Sequence, residues 1–148
     1  MADGGYVQSD RSQTGFHTAV RGLEIGDGWI ETGLDILDDG GDPTNWAGVQ
    51  FRTAAPGDAY TASGYLVLVR RSGEAFVHLA GTGVIARAPA TGTAPSTLRV
   101  EFTGPDIAVV IDGEQRLTIS DDTYASGSAG LVTGRTHTRF DDVSVGVR

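Results

Sequence analysis

Residues 28–52 constrain the chain most. Gly28-Trp-Ile-Glu-Thr-Gly-Leu-Asp-Ile-Leu37 and Trp46-Ala-Gly-Val-Gln-Phe-Arg52 each alternate apolar and polar positions with a period of two. That period belongs to a strand that buries one side. Ile30, Leu34 and Ile36 share one face of the first segment; Ala47, Val49 and Phe51 share one face of the second. Between them runs Asp38-Asp-Gly-Gly-Asp-Pro-Thr-Asn45, rich in residues that form turns. The faces opposite the apolar ones carry Trp29, Glu31, Gly33 and Asp35, then Trp46, Gly48, Gln50 and Arg52. An aromatic ring, two acids, an amide and an arginine make a polar face able to hold a ligand.

The same period recurs along the chain, with no run that reads as a helix. Strands are expected at 18–25, 28–37, 46–52, 64–70, 75–80, 83–87, 97–102, 107–111, 114–119, 130–133 and 138–147. Gly64-Tyr-Leu-Val-Leu-Val-Arg70 is apolar on both faces, as in a central strand covered on both sides. Asp112-Gly113 between two such runs is the strongest hairpin signal. Eleven or so short strands separated by Gly, Asp, Ser and Thr predict an all-β antiparallel sandwich or barrel. The 148 residues make one domain. Residues 1–17 read as a polar N-terminal segment with one short strand at Tyr6-Val7, and 18–148 as the β domain.

Charge and composition exclude several classes. The net charge is −8 and all 11 basic residues are arginine. Phosphate contacts need clustered cations, so neither nucleic acid nor an anionic membrane is an expected partner. No 18-residue apolar segment could cross a bilayer. No signal peptide is visible in this chain. With no cysteine there is neither a disulfide framework nor a thiolate metal site.

Four groups of residues carry a resemblance. They are Trp46-Ala-Gly-Val-Gln-Phe-Arg52, Gly64-Tyr-Leu-Val-Leu68, Thr97-Leu-Arg-Val-Glu-Phe102 with Ile107–Gly113, and Gly127–Thr133 with Phe140-Asp-Asp-Val-Ser-Val145. In this order, across residues 20–147, they resemble the concanavalin A-like (laminin-G-like) jelly roll. The nearest types are bacterial carbohydrate-binding modules attached to glycoside hydrolases, including levan-binding ones, and 3-keto-disaccharide hydrolase-like domains. The resemblance implies a jelly-roll sandwich and a lectin-like, non-catalytic role in a secreted bacterial protein, beside a linked catalytic domain. Such domains open with an aromatic-rich first strand, which this chain lacks. Either the fold is trimmed, or its sheet edge is completed by another segment or by another chain, as in a homodimer.

Sugars are recognised by planar polar side chains that meet hydroxyls and by rings that meet C–H faces. The ligand-binding candidates are Glu31, Asp35, Trp46, Gln50, Arg52, Tyr65 and His78, provided that their strands are neighbours. The bland reading of the same face is solvated, with ion pairs such as Arg52 with Asp35 or Glu31. Asp38, Asp39 and Asp42 offer loop carboxylates to a hard cation, and Asp141 is a fourth candidate, so a structural Ca²⁺ is expected. Turn formation by Asp and Gly is the competing account. The spacing fails the EF-hand pattern, because Val49 stands where a bidentate Glu belongs. Two further readings stay open: a glycoside hydrolase-like enzyme that pairs Glu31 or Asp35 with Glu101, and a structural or adhesion domain that contacts protein.

Overall fold

The computed structural model describes residues 5–8, 14–19, 25–54 and 63–147, the first two stretches by backbone alone. Residues 20–24 of the first expected long strand, and the expected loop around Pro56, lie outside the described residues.

Twelve strands form among the described residues, and no helix. They are β1 (Gly5–Gln8), β2 (Thr14–Ala19), β3 (Gly28–Asp38), β4 (Trp46–Thr53), β5 (Tyr65–Val69), β6 (Ala75–Leu79), β7 (Gly83–Ala88), β8 (Thr97–Thr103), β9 (Asp106–Ile111), β10 (Glu114–Ser120), β11 (Ser128–Gly134) and β12 (His137–Val147). They pair into two six-stranded antiparallel sheets, one ordered β1-β12-β3-β8-β9-β10 and the other β2-β11-β4-β5-β6-β7. The architecture is the expected β-sandwich of the jelly-roll class.

At the N-terminus the strand expected at 18–25 lies instead at Thr14–Ala19, and Ile25 makes an isolated bridge with Gly127. Alternation there is weak, so pairing with β11 sets the register. Residues 5–8 pair with β12, so each sheet takes one edge strand from the first nineteen residues.

The alternation places the core. Ile30, Leu34 and Ile36 of β3 meet Ala47, Val49 and Phe51 of β4 in one cluster with Leu98, Val100 and Phe102 of β8. β5 is buried at all five positions because it is a central strand. Tyr65, Val67 and Val69 enter the main core, while Leu66 and Leu68 enter a second cluster with Phe76 and Val132 on the other side of the same sheet. Burying each leucine contributes roughly 1.5–3 kcal/mol.

A column of rings ties the layers together at one end. Phe51 stacks on Phe102 at 4.6 Å and on Tyr65 at 5.2 Å, and Tyr124 meets Tyr65 edge-on at 5.8 Å. The Tyr65 hydroxyl donates to Asp121 Oδ1 at 2.5 Å and accepts from the Tyr124 N–H at 3.3 Å. Burial, then the bond to Asp121, pushes the Tyr65 phenol up to about 12. The unfolded chain ionises at about 10, so the stabilising effect is complete below pH 10 and lost between pH 10 and 12. Urea midpoints of the wild type are therefore expected to fall across that window, and those of Tyr65→Phe to fall less. Equal slopes would contradict this.

Candidate functional site

The outer face of the β2-containing sheet is built in rows. Gly130, Gln50, Leu66 and His78 are successive cross-strand partners, followed by Val84. The next row is Val132, Gly48, Leu68, Phe76 and Arg87. A third begins with Gly134 opposite Trp46. Trp46, Gln50 and His78 of the expected set therefore do share one sheet face. Trp46 and His78 stand four residues and two strands apart, roughly 16 Å along the pleat. That exceeds one sugar ring, so both could touch only a chain of several.

Trp46 is half-buried and packs on the second cluster. Its indole lies against Gly134, where an added Cβ would stand 2.2 Å from Cε2 and 2.4 Å from Nε1. The glycine is what lets the ring lie flat on the sheet. Gln50 is fully buried; its Nε2 donates to the Ser63 carbonyl at 3.1 Å, and its Oε1 has no hydrogen-bond partner. His78 is half-buried, and burial pulls its pKa below the usual 6.5, which leaves a neutral imidazole near pH 7.

One rim of this face carries charge that the sequence reading missed. The Arg70 and Arg87 guanidiniums lie over the Phe76 ring, 4.5 Å and 5.5 Å from its centroid. Glu74 joins them, with Oε1 3.4 Å from Arg70 Nη1 and Oε2 3.3 Å from Arg87 Nη2. The even-numbered run 66, 68, 70 and 74, 76, 78 carried this signal, but Arg70 read only as the end of an apolar strand and 71–74 only as a hairpin turn.

Arg52 and Tyr65 do not belong to that face. Between Gln50 and Thr53, β4 has two residues where β11 has one, a bulge at Phe51-Arg52. Arg52 takes φ +55 there and leaves the alternation. Its side chain, 1% exposed, donates from Nε and Nη2 to the Gly26 carbonyl at 3.0 Å and 2.8 Å. Nη1 donates to the carbonyls of Gly104 at 2.9 Å and Tyr124 at 3.2 Å. The guanidinium also lies 5.2 Å from the Phe102 centroid and 3.6 Å from Asp27 Oδ1. Burial lowers its pKa from the usual value, against the pull of Tyr65 and Asp27. Arg52 is thus a clamp at the end of the sandwich, and Tyr65 points into the core.

Glu31 and Asp35 lie on the other sheet, facing outward on β3, with the thickness of the sandwich between them and Trp46. The expectation that all seven residues share one surface fails for that reason. Glu31 Oε2 accepts from Arg99 Nη1 at 2.9 Å, and Glu101 Oε1 accepts from Arg99 Nε at 2.8 Å. Arg99 lies 5.1 Å from the Trp29 ring centroid. Burial opposes the charge on Arg99, but Glu101 and Glu31 outweigh it and raise its pKa. The pair Glu31 and Glu101 is therefore bridged by one cation. Asp35 is exposed, opposite Arg139 in the β3–β12 ladder.

The four metal candidates are not one constellation. In the loop, Asp38 Oδ1 accepts from Gly40 N, Asp39 Oδ1 from Gly41 N, and Asp42 Oδ1 from both the N–H and the hydroxyl of Thr44. The Thr44 bonds hold the Asp42 carboxyl below its ordinary range. Asp141 lies elsewhere, on the β12 strand opposite Gly33 and 3.1 Å from Arg139 Nε. Among the described residues no group of three or more His, Asp or Glu is placed to hold a metal ion.

No protein-family model matches the sequence, and no curated protein is significantly similar to it. Solved structures share the fold. The carbohydrate-binding module CBM66 from Bacillus subtilis aligns with a TM-score of 0.68 over 97% of this chain and 95% of its own, at 18% identity. A candidate glycosyl hydrolase from Parabacteroides distasonis aligns at 0.60 over 88% and 75%, at 9% identity. Congerin II with bound lactose aligns at 0.58 over 87% and 98%, at 10% identity. At such identities the likeness is one of fold: this chain has the jelly roll those proteins have.

Proposed function

We propose that the chain is a non-catalytic carbohydrate-binding domain that takes a polysaccharide or oligosaccharide on the outer side of the β2-containing sheet, at its Trp46 end and charged rim. The middle of that face, around Gln50, Leu66 and Val132, is closed. The observation that carries this reading is the placing of Trp46 flat over Gly134, on the same face as His78 and beside the Arg70–Glu74–Arg87 rim. The ring offers a surface to C–H groups. The half-buried imidazole lies on the same face, its Nδ1 closed to solvent. The rim offers guanidinium donors. The jelly roll that the chain has in common with a carbohydrate-binding module and a lactose-bound congerin adds support.

Affinity electrophoresis and calorimetry on a panel of fructans, glucans and galactans test the reading. At least one polymer should retard the protein and be recovered unshortened. Failure of every polymer to bind would overturn the proposal. Release of products would favour instead a hydrolase acting through the opposite face, and Glu31→Gln and Glu101→Gln should then abolish the release.

A further inference from the structure

At one end of the sandwich the β5–β6 turn, the β7–β8 loop and the β9–β10 hairpin enclose an open cleft of about 220 Å³. It is lined by Gly73, Thr91, Thr93, Ile111, Asp112, Glu114 and Arg116, none of which the sequence reading singled out as a site residue. We infer that this cleft is a second subsite, one that takes a single uncharged or amine-bearing sugar ring and rejects anionic sugars.

Its walls are tied to one another. The N–H groups of Thr91 and Gly92 both donate to the Ser72 carbonyl, at 3.0 Å and 2.9 Å. Arg116 Nη2 donates to the Pro89 carbonyl at 2.7 Å, and Nη1 to the Gly73 carbonyl at 3.4 Å. Asp112 and Gly113, at φ +52 and +80, form the tight hairpin, and Asp112 Oδ1 accepts from the backbone of Ser96 and Thr97. Gly73 is required, since an added Cβ would lie 2.1 Å from Thr91 Oγ1. A cleft held this way loses little freedom when a ligand enters.

Size and chemistry select the ligand. The volume is below the roughly 300–1,000 Å³ of pockets for drug-sized molecules, which limits the occupant to about one ring. The floor includes buried Ile111, and the walls offer the Thr93 hydroxyl, while the Thr91 hydroxyl donates to the Thr93 carbonyl at 3.2 Å and accepts from its N–H. Glu114 is exposed at the mouth, and its carboxylate makes no ion pair among the described residues. Arg116 has two of its nitrogens committed to backbone carbonyls. With Asp112 Oδ1 and Arg116 both committed to backbone groups, the uncommitted Glu114 carboxylate favours hydroxyl or ammonium donors and repels a carboxylate or sulfate. The cleft is separate from the Trp46 face, and the choice of a sugar as its ligand rests on the reading of the chain as a carbohydrate-binding domain.

Titrating the isotope-labelled full chain with glucosamine, glucose and glucuronate, followed by amide chemical shifts, tests the inference. Glucosamine or glucose should shift the amides of Gly73, Thr91, Thr93 and Glu114, and glucuronate should not. Glu114→Gln should weaken glucosamine about tenfold, the loss of one charge-assisted contact, and admit glucuronate. Thr93→Trp should fill the cleft and remove the shifts. The inference is overturned if none of the three sugars moves those amides, if glucuronate moves them as strongly, or if the shifts fall only around Trp46 and His78.

Discussion

Replacing Arg52 with Met should cost about 3–5 kcal/mol of folding stability, because three backbone carbonyls lose a charged donor at a site closed to water. The side chain reaches Gly26 before β3, Gly104 in the β8–β9 turn and Tyr124 in the segment before β11. One guanidinium therefore holds the ends of both sheets together, and a third or more of a typical domain's stability rests on it. Methionine keeps an apolar stem but donates nothing. Lysine restores the charge as a point, without the planar fork that meets several oxygens at once, and should recover only part of the loss. Urea midpoints measure the effect. Sugar affinity of the fraction that stays folded should be unchanged, since Arg52 lies away from the Trp46 face. A cost below about 1 kcal/mol would mean that the clamp is dispensable.

The second large effect is on binding. Trp46→Ala should weaken the polysaccharide by about 2 kcal/mol, near thirtyfold, the scale of an aromatic anchor at the centre of an interface. Trp46→Phe should keep part of the affinity. Gly134→Ala provides an independent test, because it leaves the indole in place chemically but drives a methyl group to 2.2 Å from the ring. If the flat seat of the ring matters, Gly134→Ala should resemble Trp46→Ala. Trp29→Ala serves as control. Its ring lies on the other sheet, over Gly146 and beside Arg99, and its loss should leave affinity unaltered. Unchanged binding in Trp46→Ala would contradict the assignment of the face.

Much of the fold was legible because the alternation is clean. β3 and β8 bury the residues that the period of two selects, whereas β4 is buried on both faces, its polar side included. The continuous apolar run of β5 is the central strand it implied. Asp112-Gly113 is the two-residue hairpin expected of that dipeptide, with both φ angles positive. The candidate site was legible only within a strand. Parity placed Trp46 and Gln50 together, and pairing of β4, β5 and β6 in sequence order brought in His78. Parity fails at Arg52, where the chain adopts a positive φ without a glycine to announce it. Strand sequence also does not say which sheet a strand joins. β3 and β4 are joined by a short acidic loop, like a hairpin, yet they lie in opposite layers, which separates Glu31 and Asp35 from the rest. The Arg70–Glu74–Arg87 rim needed the register of β5, β6 and β7, and the cleft at Glu114 needed three segments distant in sequence.

Amide shift mapping with a polysaccharide fragment that the panel shows to bind is the most direct test. The perturbed residues should be Trp46 with its indole N–H, Gly134, His78 and the Arg70–Glu74 turn, all on one sheet. Perturbations centred on Trp29, Glu31 and Arg99 would place the ligand on the other layer and refute the central claim.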